Sequence, residues 1–174
     1  LNGGGSLARY YVSVSYVDEG GMYKVDEGLK DYNTNANYRR WNYRLNVDMD
    51  ITKSTLLKVG VAGSLDKKNE PGMAGNIWAS AMRNNPITVP VMYSNGYVPA
   101  YGSENDQLNP WVPATQTGYQ ETWNNKLQAN ATLEQSLNFI TKGLKFIGRY
   151  GFDTNNYQWI NRKKFPEMWR AEQN

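Results

Sequence analysis

Large apolar and polar residues alternate without a break from Trp41 to Ile51. Trp41, Tyr43, Leu45, Val47, Met49 and Ile51 take the odd positions, and Asn42, Arg44, Asn46, Asp48 and Asp50 take the even ones. Successive side chains of a strand point to opposite faces, so this stretch predicts a β-strand with one apolar and one wet face. A helix would scatter the same residues around its circumference. Ala8–Tyr16 alternates with the opposite parity, with Ala8, Tyr10, Val12, Val14 and Tyr16 on one side and Arg9, Tyr11, Ser13 and Ser15 on the other. A return strand places Leu57, Val59, Val61 and Leu65 opposite Lys58, Gly60, Ala62, Ser64 and Asp66. Alternation resumes at Trp123 with Leu127, Ala129, Ala131 and Leu133, against Asn124, Lys126, Gln128, Asn130, Thr132 and Glu134. The last clear strand carries Leu144, Phe146, Gly148, Tyr150 and Phe152, and Tyr157, Trp159 and Phe165 extend it.

The connections differ in kind. Thr52-Lys53-Ser54 and Thr141-Lys142-Gly143 read as tight turns, and Asn2-Gly3-Gly4-Gly5-Ser6 reads as a turn at the very start. That opening turn, together with an end that lacks a closing element, leads us to expect an excerpt of a longer polypeptide. Asp18-Glu19-Gly20-Gly21 breaks the first strand, and Lys24–Asn37 is a polar stretch without a period, hence a long loop. Residues 69–120 hold Pro86, Pro90, Pro99, Pro110 and Pro113 and the aromatics Trp78, Tyr93, Tyr97, Tyr101, Trp111 and Tyr119. Within them Ile77–Met82 predicts a short helical turn burying Ile77, Trp78 and Ala81, and Ser94-Asn95-Gly96-Tyr97 a hairpin-type turn. So long a connection is usually functional, and its aromatics argue against disorder.

Composition narrows the meaning of the apolar faces. The chain has 174 residues, no Cys and no His, so disulfides, thiolate chemistry, Ser-His triads and His-metal sites are excluded. Its mean hydropathy of −0.72 is that of a soluble protein, yet a membrane barrel has the same low mean because its strands alternate. The net charge of +3 is small and its basic residues are interleaved with acids, which gives no phosphate-tracking patch and no case for a nucleic-acid partner.

Tight turns at one end of the hairpins and long loops at the other form the pattern of outer-membrane barrels, with short periplasmic turns and long extracellular loops. Tyr10, Tyr16, Trp41, Tyr43, Trp123, Tyr150 and Phe152 sit near strand ends or on apolar faces, where an aromatic girdle would lie. In a soluble β-protein the same residues would be core aromatics. The fold class expected is all-β: an antiparallel transmembrane β-barrel segment, about six strands of a larger barrel.

Gly4-Gly5-Ser6, Arg9-Tyr10-Tyr11, Ser13, Ser15-Tyr16 and Glu19-Gly20 resemble the start of the barrel in the SusC/RagA family of TonB-dependent outer-membrane transporters. Tyr38, Arg40, Asn42, Arg44, Asn46 and Asp48 are similar to that family's tyrosine, arginine, asparagine and aspartate ladder. The resemblance continues through Thr52-Lys53, Pro71-Gly72, Ile77-Trp78, Pro86, Pro90, Tyr93-Ser94-Asn95-Gly96, Asn109-Pro110, Thr117-Gly118-Tyr119, Phe139–Leu144 and Phe152-Asp153. Each piece is common alone; their unbroken order over nearly the whole chain carries the likeness. It implies that residues 1–174 are part of a TonB-dependent transporter barrel domain, without the plug, its TonB-binding box and the remaining strands, and that 69–120 is a long extracellular loop. It further implies import of large nutrients, glycans or oligopeptides, across the outer membrane of a Gram-negative bacterium. The implied partners are a SusD-like surface lipoprotein, the TonB complex acting through the plug, and outer-membrane lipid.

On this expectation Arg44, Asn46, Asp48, Lys58, Lys126, Gln128 and Glu134 form a hydrated lumen wall that packs against the plug, the alternative being generic solvation of a polar face. Trp78, Tyr93, Tyr97, Tyr101 and Trp111 stand outside, packing together or against the lipoprotein cap in preference to stacking directly on a substrate's sugar rings. No residue is singled out for catalysis, metal, cofactor or substrate, and no cofactor is expected. The acid pairs Asp48 with Asp50 and Glu104 with Asp106 are of a kind common on solvated surfaces and give no enzyme. The alternatives are a soluble carbohydrate-binding β-sandwich and a small stand-alone barrel with a structural or adhesive role.

Overall fold

In the computed structural model, residues 1–85, 87, 90–100 and 109–170 are described. They form six strands and two helices. The strands are β1 (Asn2–Gly4), β2 (Ala8–Gly20), β3 (Asn37–Thr52), β4 (Thr55–Pro71), β5 (Gly118–Ser136) and β6 (Lys145–Lys163), and the helices are α1 (Ala74–Arg83) and α2 (Trp111–Thr115). The strands make one sheet in the order β1-β2-β3-β4-β5-β6, an antiparallel meander. The all-β expectation holds at that level. In a meander alternate connections share an end of the sheet. Those after β1, β3 and β5 are short, and those after β2 and β4 are long.

The chain divides into two compact units. The first comprises Leu1–Val17, Arg39–Lys67 and Trp123–Gln158, and the second Asp18–Tyr38, Lys68–Thr122 and Trp159–Asn174.

The first unit holds the part of the sheet next to the short connections, and those connections themselves. Asn2–Gly4, expected to be part of a turn, is instead strand β1, with Asn2 opposite Tyr11, Gly3 opposite Tyr10 and Gly4 opposite Arg9. Glycine is required at Gly4 for room: a β-carbon there would lie 2.7 Å from the Ala8 carbonyl oxygen, a backbone atom. The turn follows, closed by the Gly5 amide donating to the Ala8 carbonyl at 2.8 Å. The β3–β4 connection is the expected tight turn. Its Thr52 Oγ1 accepts from the Ser54 amide at 3.2 Å and donates to Thr55 Oγ1 at 2.7 Å. The β5–β6 connection is longer than expected and folds on itself. Gly143 adopts φ +85° and donates its amide to Asn138 Oδ1 at 2.8 Å, while the Leu137 amide reaches the Leu144 carbonyl at 2.9 Å.

Among the described residues the buried apolar side chains are Ile77, Val112 and Ala114, all in the second unit. The sheet of the first unit therefore has no core of its own. Trp41 is 49% exposed, Ile51 57% and Phe146 55%. The expected apolar face exists, and no described residue of that unit covers it.

The second unit is built on its polar groups. Strands run further into it than the alternation predicts, to Gly20 and Pro71 and from Asn37 and Gly118. The loop between β2 and β3 is pinned by amides: Asn35 accepts from the Tyr23 amide and donates to the Gly21 carbonyl, and Asn69 donates to the carbonyls of Asn33 and Asn35 at 2.9 Å. Helix α1 is longer than the expected turn and packs against α2. It buries Ile77 and Ser80, while Trp78 is 59% exposed and Ala81 lies outside. Trp78 and Ala81 thus do not share the inward face, which is carried by Ile77 and Ser80, three positions apart. Ser94-Asn95-Gly96 forms the expected turn, closed by the Tyr93 amide on the Tyr97 carbonyl at 2.9 Å, with Gly96 at φ +84°.

Asn109, 1% exposed, joins three backbone groups: its Nδ2 donates to the carbonyls of Pro90 (3.2 Å) and Val91 (2.8 Å), and its Oδ1 accepts from the Trp111 amide (3.1 Å). Replacing Asn109 by Ala leaves those groups unpaired, so N109A is expected to cost about 2 kcal/mol. Hydrogen exchange at the Trp111 amide should quicken by more than tenfold; an unchanged rate would show that the bonds are dispensable.

Candidate functional site: a polar trough on the sheet

On its polar face the first unit forms a trough of about 620 Å³. Alternation selects most of its lining: Tyr11, Ser13 and Ser15 from β2, Arg40, Asn42 and Arg44 from β3, Ala62 and Ser64 from β4, Lys126 and Gln128 from β5, and Asp153 and Asn155 from β6, with Tyr43, Gly63, Leu127 and Thr154 of the other parity also bordering it. The floor is β4, whose residues on this face are small. Gly60, Ala62 and Ser64 leave a gap between the long side chains of β3 and β5, and Ser64 is 4% exposed beneath them. A side chain at Gly60 would meet Asn130 Nδ2 at 2.9 Å.

A polar chain crosses the upper part of the trough. Arg40 Nε lies 3.3 Å from Asp66 Oδ1 and donates to Asn42 Oδ1 at 2.8 Å, and Asn42 Nδ2 donates to Ser15 Oγ at 3.1 Å. Arg40 is thereby held in place. Arg44, Lys126 and Asp153 line the same space with no ion-pair or hydrogen-bond partner among the described residues. Three cations and two carboxylates, Asp66 and Asp153, thus meet here. The arrangement suits reversible polar binding. Among the described residues no three acidic side chains gather to hold a metal ion.

Of the expected lumen-wall residues, Arg44, Lys126 and Gln128 come together in the trough. Lys58 and Glu134 instead pair with each other at 2.5 Å, and Glu134 borders a smaller hollow of about 150 Å³ near the β3–β4 turn. Asn46 and Asp48 lie on β3 outside the lining. Of the acid pairs, Asp50 is 3.8 Å from Arg9, and Glu104 and Asp106 lie outside the described residues. Arg40, Asn42, Ser13, Ser15 and Asp153 were not singled out for the wall; shared parity was the available signal, but it needed the strand order to join them.

The apolar side carries aromatic pairings. Tyr16 packs on Trp41 with centroids 4.4 Å apart, and Lys67 Nζ sits 4.4 Å from the Trp123 ring. Tyr43 lies over Gly63, where a β-carbon would collide with its hydroxyl. In the second unit Tyr97 stacks on Trp169 at 4.7 Å and Tyr32 meets Tyr119 at 5.7 Å. Trp78 and Trp111 join neither pair, so the loop aromatics form no single cluster; Tyr101 and Pro86 lie outside the described residues. Among the described residues no helix is long and apolar enough to cross a membrane, a test that does not bear on strands. Comparison with protein-family models and with curated proteins finds no match.

Proposed function

We propose that these strands are part of the wall of an outer-membrane transporter of the TonB-dependent SusC/RagA type, which takes up large nutrients, glycans or oligopeptides, beneath a SusD-like surface lipoprotein. The observation that carries this reading is a single meander with an uncovered apolar face and a wet, trough-bearing opposite face. A soluble sandwich would spend that apolar face on a second sheet, and among the described residues there is one sheet.

Dimensions agree. Ten residue steps separate Trp41 from Ile51, about 33 Å of strand at the usual rise, which a tilt of about 40° reduces to about 25 Å, the height of a barrel's apolar band. Tyr16, Trp41 and Trp123 fall at one border of that band, as interfacial aromatics do. Six strands enclose too small a lumen for an oligosaccharide, so further strands complete the wall. In that setting the polar face lines the aqueous passage, and the long connections face the lipoprotein and the medium. Energy comes through a plug that TonB pulls, a part not contained in these residues.

Fractionation of the native membrane tests the proposal. The full-length protein is expected in the outer membrane, migrating faster in detergent electrophoresis before boiling than after it, and bringing a surface lipoprotein with it on purification. Recovery as a monodisperse, detergent-free soluble protein would overturn it.

A further inference from the structure

We propose that the trough is an anion-recognition surface for an acidic, hydroxyl-rich oligosaccharide, whose carboxylates are taken by Arg44 and Lys126. The inference rests on the transporter reading and narrows its ligand. Arg40 is already occupied by Asp66 and Asn42, whereas Arg44 and Lys126 stand over the small residues of β4 with no partner among the described residues. Arg44 and Lys126 outnumber Asp153, the one carboxylate without a partner that shares the concavity, so the space keeps a positive balance that favours an anion. Arg44 offers a planar fork that matches a carboxylate, and Lys126 a mobile point charge.

The rest of the lining selects what the anion is attached to. Ser13, Ser15, Asn42, Gln128 and Asn155 each present both donor and acceptor capacity, which suits sugar hydroxyls that need both. Tyr11, 44% exposed, adds a ring face for the apolar side of a pyranose. An acidic peptide is served less well. Strands β2–β5 each have a neighbour on both sides, so the trough's floor offers no free backbone edge for an extended chain.

Calorimetric titration of the full-length protein in detergent micelles decides the matter, with tetragalacturonate, its methyl ester and tetra-aspartate as probes. Tetragalacturonate is expected to bind, the ester at least about tenfold more weakly, and affinity should fall with added salt. R44Q and K126Q should each weaken tetragalacturonate about tenfold and leave the ester unchanged. Equal binding of acid and ester, tighter binding of tetra-aspartate, or indifference to both substitutions would overturn the assignment. Heat-dependent migration of the same samples keeps the two readings apart. A folded barrel that ignores tetragalacturonate loses only the ligand. A protein that binds it in plain buffer, without detergent, keeps the ligand and loses the barrel.

Discussion

Leu45→Arg is expected to destabilise the full-length protein in a phospholipid bilayer by about 2–4 kcal/mol, the cost of a guanidinium at the bilayer midplane on the outer face of a barrel. Leu45 lies in the middle of β3 on the uncovered face, 39% exposed, and no described residue of its unit buries it. Asn46→Arg, one residue along and on the wet face, should change stability by no more than about 0.5 kcal/mol. Ile51→Arg, on the apolar face but next to the β3–β4 turn, should fall at about 0–1 kcal/mol because an arginine near the interface reaches water. The ordering matters more than any single value. A face bathed in water would make all three substitutions alike, since each adds a solvated charge. Urea unfolding of bilayer-refolded protein measures the series, and a Leu45→Arg cost no larger than that of Asn46→Arg would remove the lipid-facing assignment.

That experiment depends on facial assignments that could be read from the chain alone, because a strand's side-chain period of two is also the period of the alternation. Where alternation is clean, as from Trp41 to Ile51, position parity and face coincide. It failed at the strand ends for a physical reason. Asp18-Glu19-Gly20 and Lys67-Lys68-Asn69-Glu70 are polar on both faces, so side chains give no sign that the backbone ladder goes on. It does go on, because ladder bonds are made by groups every residue possesses. Strand β1 was hidden differently: Gly3 and Gly4 have no side chains to alternate and look like a turn, while Gly4 lets the backbone pass close to that of Ala8 and Arg9.

The trough was legible in part. Arg44, Lys126 and Gln128 share a face by parity, but their meeting depends on β4 lying between β3 and β5 with small residues inward. Register also decided which charges would be spent. Arg40 and Asp66 neutralise each other, as do Lys58 and Glu134, and Arg44, Lys126 and Asp153 remain. Sequence spacing carries no such information for partners on different strands, as Arg40 and Asp66 or Lys58 and Glu134 are. The helices repeat the lesson, since α1 packs against α2, buries Ile77 and Ser80 and leaves Trp78 outside, which spacing along α1 alone does not specify.

Gly118→Ala is expected to cost at least about 3 kcal/mol, against about 1 kcal/mol for Gly96→Ala, although both glycines have φ +84°. The left-handed backbone penalises any β-carbon, and that part is common to both sites. They differ in what the new carbon meets. At Gly96 it finds open space, whereas at Gly118 it would run into the carbonyl of Arg162, a backbone atom that yields only if the chain moves. The neighbourhood resists such movement. Thr117, fully buried, donates its Oγ1 to the Pro113 carbonyl at 3.1 Å, and its own carbonyl accepts from the Lys164 amide at 3.2 Å. Gly118 in turn accepts from the Gly72 amide at 3.0 Å. A shift at Gly118 therefore strains bonds to two other segments of its unit, which is why the cost exceeds the conformational one. Hydrogen exchange at the Gly72 and Lys164 amides should quicken by more than tenfold in Gly118→Ala and stay near wild type in Gly96→Ala. Equal effects at the two positions would mean that backbone conformation alone, and not the close approach to Arg162, makes Gly118 necessary.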